Sequence, residues 1–282
     1  MLGATPSQPV EPWRVLELRS KPTIVKLGGS VITVKEKTLT PNLTAIRRLA
    51  KEIAESHVSP LVIVHGGGSY GHPIAARYGI TEGFKDKSRM LGFSKTHNAM
   101  ISLNMLVIRF LLDQGLPAFS IASSSFIVTK GGRIQFLNKR VLEYAIRLGF
   151  IPVLYGDVVL DEDRGFTILS GDQIVSRLAV ELNAEKIIVG VDVNGLYTAD
   201  PKIDPSAQLI TCITINDLKR LVGKLGGSRA VDVTGGMMGK IFELITPVMN
   251  GIEVFITNAS KPNNLYRALK GEKIVGTRII KG

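Results

Sequence analysis

The 282-residue chain is 45% apolar and 21% charged, enough to fill one large α/β domain or two closely packed lobes. Its apolar runs are short and broken, far below the roughly 20 residues of a membrane span, and the start of the chain, with Pro6, Pro9, Pro12 and Pro22, lacks the apolar core of a secretory signal. Lys and Arg (35) exceed Asp and Glu (24) by 11, but the positive residues are scattered and only 6% of residues are aromatic, which argues for phosphorylated metabolites over nucleic acid as partners.

In chain order, residues 1–22 read as an N-terminal extension, followed by a single domain over 23–282. Strands are predicted at Thr23 to Lys26, Pro60 to Val64, Ala118 to Ile121, Ile151 to Tyr155, Lys186 to Val191 and Ile252 to Thr257. Most are short apolar runs bounded by turn residues, the pattern of strands buried on both faces. Between them lie amphipathic segments of helical length: Leu43 to Glu55, Ser88 to Gln114, Lys139 to Leu148, Asp172 to Leu182, Thr214 to Leu225 and Gly239 to Asn250. Alternating strands and helices predict a three-layer α/β/α sandwich around a mainly parallel sheet. A hairpin is expected near Ser125 to Phe136, around Gly131-Gly132, as a lid or wall over an acceptor site. The single cysteine, Cys212, and the absence of zinc-ligand spacing point to the cytoplasm.

Two glycine-rich turns follow apolar strands and precede helices: Lys26-Leu-Gly-Gly-Ser30 and His65-Gly-Gly-Gly-Ser-Tyr-Gly-His72. Such turns expose backbone N–H groups at a helix N-terminus, a cradle for phosphate. Lys26 precedes its glycines, so the first turn is not a P-loop, and a structural strand exit with a solvated lysine reads the same way. In the second turn His72 falls in the first helical turn, where it would donate to a phosphate oxygen or stand as a hydrated helix-end histidine. His65 ends a strand and reads as a structural hydrogen-bonding residue, whereas His57 and His97 have no partner motif and read as surface or helix-face residues. Asp172 in Ser-Gly-Asp-Gln-Ile174 would cap a helix or orient lysine ammonium groups. Val191-Asp-Val-Asn-Gly-Leu-Tyr197 is a strand exit able to wrap a nucleotide, and Thr234-Gly-Gly-Met-Met-Gly-Lys240 is a third glycine-rich helix opening. Cradles for a donor and an acceptor phosphate suggest phosphoryl transfer.

With these segments in this order, from about Pro22 to the C-terminus, the sequence resembles the amino acid kinase superfamily. Within it, Gly68-Ser-Tyr-Gly-His72-Pro looks like the isopentenyl phosphate kinases. The resemblance implies ATP-dependent phosphorylation of isopentenyl phosphate to the diphosphate, in isoprenoid biosynthesis by an alternative mevalonate route, by a cytoplasmic homodimer. It implies an acceptor lobe of about 23–168 and a nucleotide lobe of about 169–282. It carries catalytic roles onto Lys26, Lys35, His72, Asp172 and Lys240. Acceptor binding falls to Gly67, His72 and Gly156, and ATP binding to Lys26, Gly28, Gly29, Ser30, Gly68, Asp192, Gly235, Gly239 and Lys240. Mg²⁺ is expected on the ATP phosphates with no protein ligand. The segment Phe84 to Phe110, with Met90, Leu91, Phe93, Met100, Ile101 and Met105, is the candidate wall for a five-carbon tail, although the same stripe describes ordinary core packing. A same-fold kinase for another phosphorylated or phosphonate acceptor, of the fosfomycin-kinase kind, and a non-catalytic phosphometabolite sensor are the alternatives.

Overall fold

The computed structural model describes residues 20–199, 201, 203–224 and 237–282. Residues 1–19 of the expected N-terminal extension, and Gly235 among the expected ATP-binding residues, lie outside the described residues.

Alternation along each strand builds the architecture. In β1 (Thr23–Leu27), Ile24 faces one core and Val25 and Leu27 the other; in β2 (Leu61–His65), Val62 and Val64 oppose Leu61 and Ile63. β6 (Ile151–Tyr155) and β9 (Lys186–Val191) follow the same period, as strands buried on both faces must. The sheet they form has eight strands, with β3 (Ala118–Ser120) at one edge, then β6, β2, β1, β9, β13 (Glu253–Asn258), β14 (Gly276–Ile280) and β12 (Cys212–Thr214). All neighbours pair in parallel except β13 and β14.

One face of this sheet is covered by α1 (Gly29–Ile32), α2 (Leu43–Ser56), α3 (Gly68–Arg77), α4 (Lys87–Leu112) and α9 (Asn264–Leu269). The other carries α5 (Arg140–Arg147), α6 (Gly171–Glu181), α7 (Ile215–Lys224) and α8 (Met237–Met249). This is the expected three-layer sandwich, and each fully buried Ile, Leu or Val contributes about 1.5–3 kcal/mol.

A four-stranded second sheet, ordered β5 (Arg133–Leu137), β4 (Ile127–Lys130), β7 (Asp157–Asp161) and β8 (Gly165–Leu169), and a short β10 (Leu196–Tyr197) and β11 (Leu209–Ile210) ladder complete the strands. The expected hairpin is β4–β5, but it is not a lid: none of its residues lines the central cavity. Ile127, Ile134 and Leu137 join the core beside α6. The Ile134 N–H donates to Gln173 Oε1 at 2.8 Å, and Arg133 pairs with Glu243 on α8. Apolar burial draws the hairpin onto the α6 layer instead.

Candidate active site

The C-terminal ends of β1, β2, β6 and β9 open into one cavity of about 850 Å³, where a parallel α/β sheet places its ligands. The two glycine turns after β1 and β2 are in backbone contact with each other. A Cβ on Gly29 would stand 2.4 Å from the Gly68 nitrogen, and one on Gly68, whose φ is +48°, would stand 2.2 Å from Thr33 Oγ1. The Thr33 hydroxyl donates to the Gly29 carbonyl at 2.7 Å and accepts from the Ser69 N–H at 3.0 Å. These glycines serve first to let the two turns interlock.

Lys26 shares the face of β1 that looks toward α6. Its side chain, 3% exposed, pairs through the ammonium with Asp172, whose other carboxylate oxygen lies 3.4 Å from Lys240 Nζ on α8. Burial lowers the Lys26 pKa to about 8 against the pull of Asp172, with Lys240 adding to the lowering. Burial opposes the Asp172 charge, but the two lysines outweigh it and hold the carboxyl below its ordinary value. Ser170, not Asp172, caps α6, its hydroxyl accepting from the Gln173 N–H at 3.1 Å. Asp172 is thereby left to hold the two lysines in one place.

His72, on α3, lines the same cavity with Lys35, Gly67, Gly68 and Gly156. Its pKa is lowered by burial and then by Lys240 and Lys26, so the imidazole is an anion-ready donor with positive charge already around it. The same cavity is also lined by Gly28, Gly29, Ser30, Asp192 and Gly239, together with Val193, Gly195, Leu196 and Tyr197. Ser30 Oγ donates to Asp192 Oδ1 at 3.1 Å, tying the first turn to the loop after β9. A Cβ at Gly239 would meet open space, so that position leaves the approach to Lys240 clear. Every expected site residue within the described part of the chain therefore borders one cavity.

His65 is fully buried, as a structural residue should be. Its ring lies near-parallel to Tyr155 at 5.4 Å, with Nδ1 3.1 Å from the Gly66 carbonyl and Nε2 3.1 Å from Asn104 Nδ2. Two sequence readings need correction. His97, read as a surface or helix-face residue without a partner motif, does lie on α4 but has a partner: its Nδ1 lies 2.7 Å from Oδ2 of Asp157, whose side chain is 0% exposed. Burial pushes the Asp157 carboxyl up to about 6, with His97 opposing that rise. No local motif announces the pair, because its members are 60 positions apart. Of the apolar residues proposed to wall a tail, only Met100 reaches the cavity; Met90, Leu91, Ile101 and Met105 are exposed and Phe93 packs on Phe166. Ala75, Thr96 and Ile168 join Met100 in lining it. The 26-residue α4 turns only one face to the sheet, and Met100 is on that face.

The amino acid kinase family model matches residues 21–258. The chain is similar to the isopentenyl phosphate kinase of Methanothermobacter thermautotrophicus, 43% identical over 91% of this chain and 98% of that protein. To that of Methanocaldococcus jannaschii it is 36% identical, over 91% and 98%. Among solved structures it resembles an isopentenyl phosphate kinase with a TM-score of 0.82 at 39% identity, covering 92% of this chain and 99% of that one. An isopentenyl phosphate kinase substrate complex aligns with a TM-score of 0.75 at 30% identity, covering 91% and 99%. With the glycine turns, the Lys26–Asp172–Lys240 cluster and His72 gathered in one cavity, the chain belongs to the amino acid kinase family, in its isopentenyl phosphate kinase branch.

Proposed function

We propose that this chain transfers the γ-phosphoryl group of ATP to isopentenyl phosphate, yielding isopentenyl diphosphate and ADP for isoprenoid biosynthesis. The observation that carries the reading is the placement of His72 in the same cavity as Lys26, Asp172 and Lys240, next to an apolar wall of Met100, Ile168 and Ala75. The acceptor is a phosphomonoester bearing close to two negative charges, so bringing it to a triphosphate meets strong repulsion. Neutralisation is the main catalytic task.

His72 and the Gly67 amide hold the acceptor phosphate, with Gly156, whose N–H donates to the His65 carbonyl at 3.0 Å, forming the wall beside it. Lys26, Lys35 and Lys240 stabilise the group in flight, with the Gly29 and Gly68 amides and Ser30 along the ATP phosphates, and Gly28, whose N–H donates to the Gly190 carbonyl at 2.8 Å, giving them close approach to the main chain. Asp172 orients two of those lysines and takes no proton, since the attacking oxygen is already ionised. Asp192 and the loop after β9 border the nucleotide end. The acceptor lobe is thus assigned to about 23–168 and the nucleotide lobe to about 169–282, with Lys26 and Asp172 joining them. Among the described residues no group of three or more His, Cys, Asp and Glu side chains could hold a metal ion, and Asp172 is engaged by lysines. Mg²⁺ would be carried by the triphosphate, and the chemistry it would supply there is shielding of the phosphate charge.

No helix among the described residues is long and apolar enough to cross a membrane; we assign the chain to the cytoplasm on its single cysteine. We also assign a homodimer, supported by the exposed Met90, Leu91, Ile101 and Met105 on α4; Ile101→Glu should then halve the mass seen by light scattering. The activity is tested with Mg²⁺ and ATP against isopentenyl phosphate, fosfomycin, acetylglutamate and UMP, following ADP and product together. Efficient isopentenyl diphosphate formation supports the assignment. Preference for another acceptor moves the chain to a different kinase reaction, and no turnover with any of them supports the sensor.

A further inference from the structure

The acceptor end of the cavity has two walls from different layers. One comes from α4, which contributes Thr96 and Met100; the other is the turn between β6 and β7, which contributes Gly156 and Asp157. Met100 Sδ supports the glycine turn from below, standing 3.0 Å from where a Cβ on Gly67 or on Gly71 would lie. His97 stands between Thr96 and Met100 on α4, and Asp157 directly follows Gly156. The 2.7 Å contact between His97 and Asp157 therefore ties one wall to the other.

Several observations set this pair apart from an ordinary surface bridge. The Asp157 carboxylate is wholly removed from water, while His97 remains 29% exposed. Its second oxygen accepts from the Val158 N–H at 2.8 Å, fixing the carboxylate to its own strand. A buried carboxylate costs several kcal/mol unless paired and hydrogen-bonded, so the turn bearing Gly156 is held where the His97 donor can reach. Neither residue is needed by the phosphoryl-transfer chemistry assigned above to Lys26, Lys35, Lys240 and Asp172.

We infer that His97 and Asp157 form a positioning strut that holds the Gly156 wall against α4, and that acceptor binding depends on this strut while phosphoryl transfer does not. This rests on isopentenyl phosphate being the acceptor. Both residues act through the Gly156 wall, which lines the same cavity as His72 and whose N–H is itself fixed on the His65 carbonyl at 3.0 Å, so the wall meets the acceptor by its position and shape. The residues assigned to the nucleotide are held by other contacts, among them Ser30 with Asp192.

Steady-state kinetics of the full chain with isopentenyl phosphate and Mg-ATP test the strut in wild type, His97→Ala, Asp157→Asn and His97→Gln. Loss of one charge-assisted hydrogen bond should raise the acceptor KM about five- to thirtyfold in His97→Ala and Asp157→Asn, with kcat and the ATP KM within about twofold. His97→Gln keeps an N–H donor on α4 and should recover most of the acceptor affinity. An unmoved acceptor KM overturns the inference, as does a parallel loss in kcat and both KM values. Should the substituted chains fail to accumulate, the ¹⁵N imidazole signal of His97 in the wild type decides: a shift on adding isopentenyl phosphate without nucleotide supports the strut, and no shift overturns it. Failure of wild type to turn over isopentenyl phosphate would instead strike the substrate assignment.

Discussion

Lys26 and Asp172 lie 146 positions apart in the chain and meet as a buried ion pair where β1 ends and α6 begins. The pair explains how an ammonium can sit beside two phosphate cradles without being neutralised by its own burial. Desolvation brings Lys26 down to about 8, and Asp172 is what keeps it from falling further. In the free enzyme this ionisation should appear on the alkaline side of kcat/KM for ATP, with activity falling above about pH 8. Asp172→Asn should move that fall to lower pH, because the counter-charge that raises the lysine pKa is gone. An alkaline limb that stays in place would show that Lys26 is not the group titrating.

Lys26→Ala should depress kcat by about a hundredfold or more while the acceptor KM changes little, since its charge is needed most when the phosphoryl group is between oxygens. A large rise in acceptor KM with unchanged kcat would move Lys26 from chemistry to binding.

His72→Ala should lower kcat/KM for isopentenyl phosphate by at least about tenfold, the value of a charge-assisted hydrogen bond of roughly 1.5–3 kcal/mol. Burial and the two lysines lower the His72 pKa in the free protein, and an arriving dianion reverses part of that lowering. Acceptor binding near neutral pH should therefore take up protons, visible as a buffer-dependent heat in calorimetry. His72→Ala should remove that uptake, and an unchanged buffer dependence would count against the assigned role.

His65 makes a prediction about stability. Its imidazole is wholly buried, and its pKa falls from 6.5 to about 4 in the folded chain. The unfolded chain thus takes up the proton first. The resulting stability is fully present above about pH 6.5 and is lost as pH falls toward 4, by about 3 kcal/mol if the whole shift is realised. Urea unfolding of wild type and His65→Gln across this window should show a shallower loss in the variant.

Gly68→Ala should destabilise the protein by at least about 2 kcal/mol, a fall of roughly 4–8 °C in Tm. The new methyl would overlap Thr33 Oγ1 at a residue held at φ +48°. Thermal melts check this directly, and a Tm within 1 °C, roughly the precision of the measurement, would contradict the close packing of the two turns.

Much of this was legible in the amino-acid order. Runs such as Leu61 to Val64 and Lys186 to Val191 are buried on both faces, so they read as parallel strands. The glycine turns, His72, Asp172 and Lys240 carry local patterns that point to anion binding. β7 and β8 were missed because Asp157, Asp161 and Thr167 interrupt their apolar pattern; all three are buried, and the two aspartates are satisfied by side-chain hydrogen bonds from His97 and Thr129. His97 was unreadable for the same reason, since its partner comes from another layer. The tail wall was overextended because a long amphipathic helix does not reveal in sequence which residues face a cavity and which face outward: Met100 faces in, while Met105 is 56% exposed.

The contact between the turns at Gly29 and Gly68 has an evolutionary consequence. Because main chain meets main chain there, the spacing between the two phosphate cradles is set by atoms that no substitution elsewhere can resize. Selection is then free to vary Ala75 and Ile168, and with them the organic portion of the acceptor, without retuning the distance over which the phosphoryl group must travel. A scaffold arranged this way can diversify its substrates one side chain at a time while its chemistry stays constant.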